Sequence, residues 1–263
     1  MKILISGYYG FYNTGDEAIL ASITAQFRKK DPGIKIAVLS ADPKGTSERF
    51  PVEGIHRLNP LSVLKAIIRS DIVISGGGGL LQDSTGRFSV FYYLLIILLA
   101  KLFRKKAAVF GQGYGPVKSR FNKMMIRMVL NLADLITVRD IASKTALKSE
   151  GVCIPPVLSC ADPALLLEPQ NFEKIMRKEG ITEFERPAAG VCLRSFKTMS
   201  EDYAARMAEA LDGLMDKLGM EILFIPFKAP EDTQLCVEVL SLMKNKGRVI
   251  EGDYSPGQFL GLV

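Results

Sequence analysis

The chain has 263 residues, of which 48% are hydrophobic and 24% charged, enough for the core of one large or two smaller domains. Its formal net charge is +6, but the basic residues are scattered rather than gathered into a stripe with aromatic residues, so we do not expect nucleic acid as a partner. Four cysteines without a CxxC pair and a single histidine, His56, argue against a zinc site. We therefore expect reduced thiols in a cytoplasmic protein.

Strand-like and helical patterns alternate through the first part of the chain, which is typical of a parallel sheet wound by right-handed crossovers. The predicted strands are 2–6, 34–39, 71–75, 106–110 and 134–138, and the predicted helices are 15–30, 61–69, 88–102, 119–132 and 140–150. The segment 88–102 is apolar almost all round but is shorter than the roughly 20 residues that cross a bilayer. We expect it to be a helix packed in the core, with membrane-surface contact as the alternative.

The chain divides at a polar stretch rich in proline. We predict an N-terminal Rossmann-like domain over 1–168, a linker over 169–186 and a second Rossmann-like domain over 187–263. In the second domain the predicted strands are 187–194, 221–226 and 248–250, and the predicted helices are 201–218 and 232–244. About three strands fall short of the usual five or six, and 259–263 resembles the start of another helix, so we expect this domain to be truncated.

Three apolar strands run directly into glycine-rich segments, at 7–10, 76–79 and 111–116. The segments that follow parallel strands lie along one edge of a sheet, where ligands bind. The glycines at 7, 10 and 15 do not form the dinucleotide pattern GxGxxG. We therefore predict a ligand site at this edge without a dinucleotide cofactor.

Polar residues follow the first glycine segment where a helix begins. Asn13 suits the helix cap, and Asp16 and Glu17 fall in the first turn, where the helix dipole favours acids. A well-capped helix alone would explain them. Carboxylates at a helix start would repel a pyrophosphate, so as site residues they suit sugar hydroxyls or base catalysis.

The other two glycine segments also point to close approach of a ligand. Consecutive glycines such as Gly77 and Gly78 are costly in backbone entropy unless positive φ or ligand contact requires them, and their N–H groups suit an anion. Tight packing of strand and helix is the alternative. Gln82 and Asp83 follow the second segment with groups suited to hydroxyl recognition, while the third segment is individually weak evidence.

Five segments in order resemble the polysaccharide pyruvyl transferase family, most closely its CsaB branch, which acts on secondary cell-wall polymers. They are GYYGFYNTGDEAIL, SDIVISGGGGLLQD, AAVFGQGYGPV, ADLITVRD and CADPALLL. The resemblance implies a GT-B-like pair of Rossmann-type domains. It also implies transfer of a pyruvyl group from phosphoenolpyruvate to a sugar, commonly N-acetylmannosamine of a lipid-linked precursor, as a cyclic ketal.

Such a reaction needs fixed cations for the donor and a base for the sugar hydroxyls, with no redox cofactor or metal demanded. By position, Arg139 and Arg194 are the candidate anion clamps, although each also suits an ordinary ion pair. Asp16, Glu17 and Asp83 are the candidate bases. The remaining candidate substrate-binding residues are Asn13, Gly15, Gly77, Gly78, Gln82 and Gln112.

One departure from the family pattern matters. The family resemblance implies an Arg-x-His segment that binds the donor, which this sequence does not contain, and its lone His56 suits a surface position. We therefore expect slow turnover by this chain. A nucleotide-sugar glycosyltransferase of the GT-B type and a non-catalytic sugar-binding or partner-binding module are the alternatives.

The basic charge and the lipid-linked acceptor implied by the resemblance give a further hypothesis, which is peripheral contact with the inner face of the cell membrane.

Overall fold

The computed structural model describes residues 1–83, 87–181, 183–196 and 198–262. Val263, the last residue of the predicted terminal helix, lies outside the described residues. Contacts between residues divide the chain into two compact units. The first holds Met1–Phe11 and Gly15–Leu167, and the second holds Tyr12–Thr14 and Glu168–Val263.

The elements of the first unit alternate between strand and helix, as the sequence predicts. They are β1 (Lys2–Tyr9), α1 (Thr14–Lys30), β2 (Lys35–Ser40), α2 (Pro43–Arg49), β3 (Glu53–His56), α3 (Pro60–Arg69), β4 (Ile72–Ser75), β5 (Gly78–Leu81), α4 (Arg87–Leu102), β6 (Lys106–Tyr114), α5 (Arg120–Leu130), β7 (Leu135–Val138), α6 (Ile141–Ser149) and β8 (Val157–Ser159), followed by a 3₁₀ helix at Pro163–Leu166.

Within the described residues the strands of this unit form one parallel sheet in the order β3-β2-β1-β4-β6-β7-β8, and β5 pairs beside β6. The strand order reverses beside β1, and such a switch point is where doubly wound sheets bind ligands. This confirms the predicted α/β fold with a parallel sheet.

Both faces of this sheet are buried because successive side chains of each strand point to opposite sides. Leu4 and Val73 pack into a core with α3, α4 and α5, whereas Ile3, Ile5 and Ile74 pack into a second core with α1. Local caps fix where the helices start. Asn59 accepts a hydrogen bond from the N–H of Ser62 at the start of α3, and Ser119 accepts one from the N–H of Asn122 at the start of α5.

The second unit contains α7 (Glu173–Lys178), β9 (Ala188–Val191), α8 (Tyr203–Leu218), β10 (Glu221–Phe224), α9 (Glu231–Leu242), β11 (Arg248–Val249) and α10 (Pro256–Leu262). Its strands form a parallel sheet in the order β11-β10-β9 within the described residues. The segment predicted as a linker, 169–186, contains α7, and its Ile175 and Ile181 are buried in a core of this unit together with Leu223 and Phe259. Residue 182 of that segment lies outside the described residues.

The structure adds elements where the sequence predicts neither a strand nor a helix. Between β2 and α3 it contains α2 and β3, which the period of apolar residues does not reveal because Gly54 and the surrounding polar residues interrupt it. After α6 it contains the strand Val157–Ser159. Helix α4 buries one face and exposes another. Among the described helices, none is both long and apolar enough to span a bilayer.

Candidate functional site

The glycine segments lie at the carboxyl ends of neighbouring strands, but they are not simple turns. Gly7 belongs to β1, Gly78 to β5 and Gly111 to β6. The β1–β2 pairing shifts register between Ser6 and Tyr9, and the β6–β7 pairing shifts register between Val109 and Gln112. Such irregularities let a strand continue past a locally bent backbone. Gly78 has φ +100° and Gly111 has φ +59°, values that favour glycine. Each glycine segment therefore lies partly within a strand that continues the sheet, and it is not only a loop beyond its edge.

Tyr9 fills the space that the first two glycine segments leave open. A Cβ at Gly7 would overlap the Tyr9 ring, and a Cβ at Gly76 would overlap its hydroxyl. Tyr9 is fully buried, and its hydroxyl has no hydrogen-bond partner in the part of the chain that the structure describes. Burial raises the Tyr9 pKa well above its usual value, and the nearby charges of Asp16 and Glu17 raise it further. No local pattern in the sequence marks this residue as part of the site.

The first turn of α1 brings the two predicted carboxylates to this edge. Glu17 is buried, and its Oε1 accepts a hydrogen bond of 3.0 Å from the N–H of Gly10, which has φ +74°. Asp16 is only partly buried, and its Oδ1 lies 2.9 Å from where a Cβ of Gly78 would stand. Glu17 therefore holds the glycine loop while Asp16 faces the second glycine segment.

Gln112 ties the second and third glycine segments together. Its Nε2 donates to the carbonyl oxygens of Gly78 at 2.5 Å and Gly113 at 3.1 Å. Its Oε1 is buried and has no hydrogen-bond partner among the described residues. A Cβ at Gly77 would lie 3.0 Å from the carbonyl oxygen of Gly111, so close backbone packing explains this glycine. An unpartnered buried acceptor is rare in proteins and marks a position where a ligand donor or water would be stabilised.

An arginine that the sequence analysis did not single out lies in the same unit. The guanidinium of Arg57, which follows β3, stands 4.3 Å from the ring centroid of Tyr92, 5.2 Å from that of Phe11 and 5.7 Å from that of Tyr93. The Phe11 ring also stacks on Tyr8 at 4.1 Å. Cation–π contacts of this kind hold an arginine in place, and Nη1 of Arg57 is buried without a hydrogen-bond partner among the described residues.

The electrostatics of Tyr93 tie this cluster to the carboxylates. Burial raises the pKa of Tyr93 to about 12, the positive charge of Arg57 opposes that rise, and the charge of Asp16 adds to it. Arg57 and Asp16 therefore both lie within electrostatic range of the Tyr93 hydroxyl. Because Arg57 lies 35 residues from Tyr92 in the chain, no local pattern could have revealed the contact.

Of the two predicted anion clamps, Arg139 follows β7 beside the third glycine segment. Its Nη1 donates to Oδ2 of Asp162 at 3.0 Å, and its Nε lies 2.8 Å from where a Cβ of Gly113 would stand. The hydrogen bond to Asp162 thus holds Arg139 at the sheet edge and occupies part of its guanidinium group. Arg194 is exposed and belongs to the second unit, after β9.

The remaining predicted polar residues are distributed more widely. Asn13 groups with the second unit, where it pairs with Lys228 in an isolated antiparallel bridge, while Gly15 is exposed at the start of α1. Gln82 follows β5, and its Nε2 lies 3.3 Å from where a Cβ of Gly79 would stand. His56 is exposed, as predicted.

Asp83 has a structural role at the start of α5. Its carboxylate accepts hydrogen bonds from the N–H of Ser119 at 2.8 Å and from the N–H of Lys118 at 2.9 Å. These bonds, that from Ser119 first, hold the Asp83 pKa below its usual value. A carboxylate stabilised in this way is a weak base, which makes Asp83 a poor candidate for proton transfer.

An open cavity of about 540 Å³ lies away from this edge, between β1, β2, β3 and α3. Its lining includes the first residues of strands, Lys2 and Lys35, together with Lys65 and Arg69 of α3. It does not include Asp16, Glu17, Gln112 or Arg57, so the cavity and the candidate site are different places. Among the described residues no group of histidine, cysteine, aspartate and glutamate is arranged to hold a metal ion.

Solved structures of related fold support this reading of the architecture. UDP-GlcNAc 2-epimerase from Methanocaldococcus jannaschii matches with a TM-score of 0.64 and 14% identity, over 100% of this chain and 76% of that one. The S. aureus MnaA-UDP co-structure matches with a TM-score of 0.62 and 15% identity, over 100% and 71%. E. coli ADP-heptose lps heptosyltransferase II matches with a TM-score of 0.51 and 17% identity, over 100% and 76%. At these identities the likeness concerns the GT-B-like fold alone.

The comparison with curated proteins finds no match. The sequence model of the polysaccharide pyruvyl transferase family matches residues 13–263, which include α1 with its two carboxylates and all the later segments of the sheet edge. The chain therefore belongs to the polysaccharide pyruvyl transferase family.

Proposed function

We propose that the chain transfers the pyruvyl group of phosphoenolpyruvate to a sugar and forms a cyclic ketal, as a member of the CsaB-like branch. The proposed acceptor is N-acetylmannosamine of a lipid-linked cell-wall precursor, which would bring the reaction to the inner face of the cell membrane. The observation that carries the proposal is the partly buried Asp16 beside the glycine edge, together with the Arg57 cluster in the same unit, within a chain of this family. The reaction requires no further cofactor.

The chemistry needs two sugar hydroxyls and one donor. The oxygen of the first hydroxyl bonds to C2 of phosphoenolpyruvate, and the methylene carbon takes a proton and becomes a methyl group. The oxygen of the second hydroxyl then bonds to C2 as the C2–O bond to phosphate breaks. The two hydroxyl protons end on the methyl carbon and on inorganic phosphate, so atoms and charge balance.

Asp16 is the proposed base because it is partly accessible and faces the glycine edge. Glu17 is a positioning residue, since its Oε1 already accepts the N–H of Gly10. Arg57 is the proposed cation for the carboxylate or phosphate of the donor. Arg139 in the first unit and Arg194 in the second remain candidates for the same task.

Polar groups along the edge are proposed to bind sugar hydroxyls. Gln112 supports this role because its buried Oε1 has no partner within the described residues. The other proposed contacts at this edge are the backbone or side chains of Gly15, Gly77, Gly78 and Gln82. Asn13, which groups with the second unit, is a separate candidate.

The proposal is tested with the purified 263-residue chain, phosphoenolpyruvate and an N-acetylmannosamine acceptor. Phosphate release and mass spectrometry of the ketal report turnover, and calorimetry reports donor binding. Making both measurements separates a chain that only binds the donor from one that also turns it over. Binding of nucleotide sugars in place of phosphoenolpyruvate would support the glycosyltransferase alternative and overturn the proposal. Sugar binding without donor binding would support the binding-module alternative.

Variants separate the proposed roles. Asp16→Asn is expected to lower turnover about 100-fold or more, the usual effect of removing a general base, without weakening donor binding. Arg57→Met is expected to weaken donor binding about 10-fold, with little recovery in Arg57→Lys because a lysine cannot stack in the same way. Glu48→Gln, an exposed carboxylate on α2, is the control and should change neither quantity. Equal loss in Asp16→Asn and the control would contradict the assignment.

A further inference from the structure

Helices α4 and α5 pack side by side on one face of the first unit and leave a large apolar surface exposed. We define the α4–α5 face by six residues. They are Phe91, Leu98 and Leu102 of α4 and Phe121, Met124 and Met128 of α5, with exposed fractions from 38% to 72%. Within each helix the spacing of three, four or seven residues places them on one side. Single exposed apolar residues are common, whereas several large ones together on neighbouring helices are typical of an interaction site.

The charge around this face is strongly one-sided. From residue 84 to residue 133 the sequence contains nine lysines and arginines and no aspartate or glutamate. With a whole-chain charge of +6, the rest of the chain carries −3. In the described part of the chain Lys101 pairs with Asp134 and Lys123 with Glu150, whereas Arg104, Arg120 and Arg127 are exposed. The face is therefore apolar with cations around it.

We propose that the α4–α5 face binds the surface of an anionic lipid membrane. Helices that lie in the membrane interface combine a face of phenylalanine, leucine and similar residues with flanking lysine and arginine, and anionic headgroups attract those cations. A second copy of the chain fits less well, because a two-fold contact through this face would bring the arginines of both copies together. This proposal does not depend on pyruvyl transfer.

The experiment is vesicle flotation of the intact chain without donor or sugar acceptor, so its result is independent of the reaction. The chain is expected to float with vesicles of phosphatidylcholine and phosphatidylglycerol and not with phosphatidylcholine alone. Raising salt from about 0.1 M to about 1 M shortens the screening length from about 10 Å to about 3 Å and should release it. Failure to float with the anionic vesicles would overturn the proposal.

Two double variants test the two parts of the face. Arg120→Gln/Arg127→Gln is expected to weaken vesicle binding about 30-fold, from the usual contribution of each cation near an anionic surface. Phe121→Gln/Met128→Gln should also weaken it while leaving the thermal midpoint unchanged, because both side chains are exposed. Leu218→Gln/Leu242→Gln, equally exposed in the second unit, is the control. Equal loss in the control, or self-association abolished by Phe121→Gln/Met128→Gln, would overturn the membrane assignment.

Discussion

At the residue scale, Tyr9 explains why glycine is required at two distant positions. Its ring occupies the space beside Gly7, and its hydroxyl occupies the space beside Gly76, so the aromatic side chain and the two missing side chains fit one another. The carboxylates of Asp16 and Glu17 lie close enough to affect the same hydroxyl. The order of the site thus depends on packing as much as on hydrogen bonds.

Gly76→Ala is expected to destabilise the chain by about 1–3 kcal/mol, the usual cost of forcing an extra carbon into a packed core. Tyr9→Phe alone should lie within about 1 kcal/mol of the wild type, because the hydroxyl it removes is buried without a hydrogen-bond partner among the described residues. Since that hydroxyl is the atom nearest the new Cβ, the double variant should recover part of the loss. Thermal or denaturant unfolding measures the stability of the two single variants and of the double variant.

Gly213→Ala is the matched control for this cycle. Gly213 lies inside α8, and a Cβ there would meet no atom within 4 Å, so alanine should stabilise by about 0.5–1 kcal/mol. Strict additivity of Gly76→Ala and Tyr9→Phe would show that the two positions do not share space and would contradict the packing argument.

At the element scale, regular elements were predictable where one physical pattern dominates. The sequence predicts β1, β4 and β6 from their apolar runs and α5 from its amphipathic pattern. The sequence does not predict strand β3 and helix α2, because contacts between the two elements stabilise them. One is the hydrogen bond of 2.8 Å that the Gly54 N–H donates to Ser47 Oγ. Asp16 and Glu17 were found by their place in a helix start, whereas Arg57 and Tyr9 depend on partners far along the chain.

The start of α5 depends on one acid, which gives a test by pH. Asp83→Asn should lower the thermal midpoint at pH 7, because the carboxylate accepts the N–H groups of Ser119 and Lys118 more strongly than an amide does. The pKa of Asp83 is lowered in the folded chain, so its contribution is complete above the ordinary aspartate pKa of about 4 and is lost as the pH falls through and below that value.

The difference between the wild type and Asp83→Asn should therefore shrink in acid, as followed by differential scanning fluorimetry from neutral to acidic pH. Glu48→Gln should show no comparable convergence. A constant difference at every pH would mean that the Asp83 charge does not anchor α5.

At the scale of the whole molecule, the two units have separate cores. The first unit buries side chains on both faces of its sheet, and the second buries Ile222 and Phe224 against α8 and α9. The cysteines report on this organisation. Cys153, Cys160 and Cys192 are exposed, whereas Cys236 is fully buried in the second unit, where burial raises its pKa to about 11.

A thiol reagent with a coloured product is expected to modify three cysteines of the native chain at pH 8 and the fourth only after denaturant is added. Among the three, Cys192 should react most slowly, because partial desolvation of its thiol and then the charge of Asp232 raise its pKa although the residue as a whole is exposed. Four equal rates without denaturant would show that the core of the second unit is not closed.

Helix α4 contributes both to the Arg57 cluster and to the exposed α4–α5 face. Tyr92 stacks against Arg57 near the beginning of the helix, and Phe91, the residue before it, points outward. Consecutive residues of a helix lie about 100° apart around the axis, and the 16 residues of α4 extend about 24 Å. A chain held on a bilayer by α4 would therefore carry its sheet edge at a fixed height above the lipid. For the proposed lipid-linked acceptor, selection would then depend on the length of the spacer between lipid and reacting sugar as well as on the sugar itself.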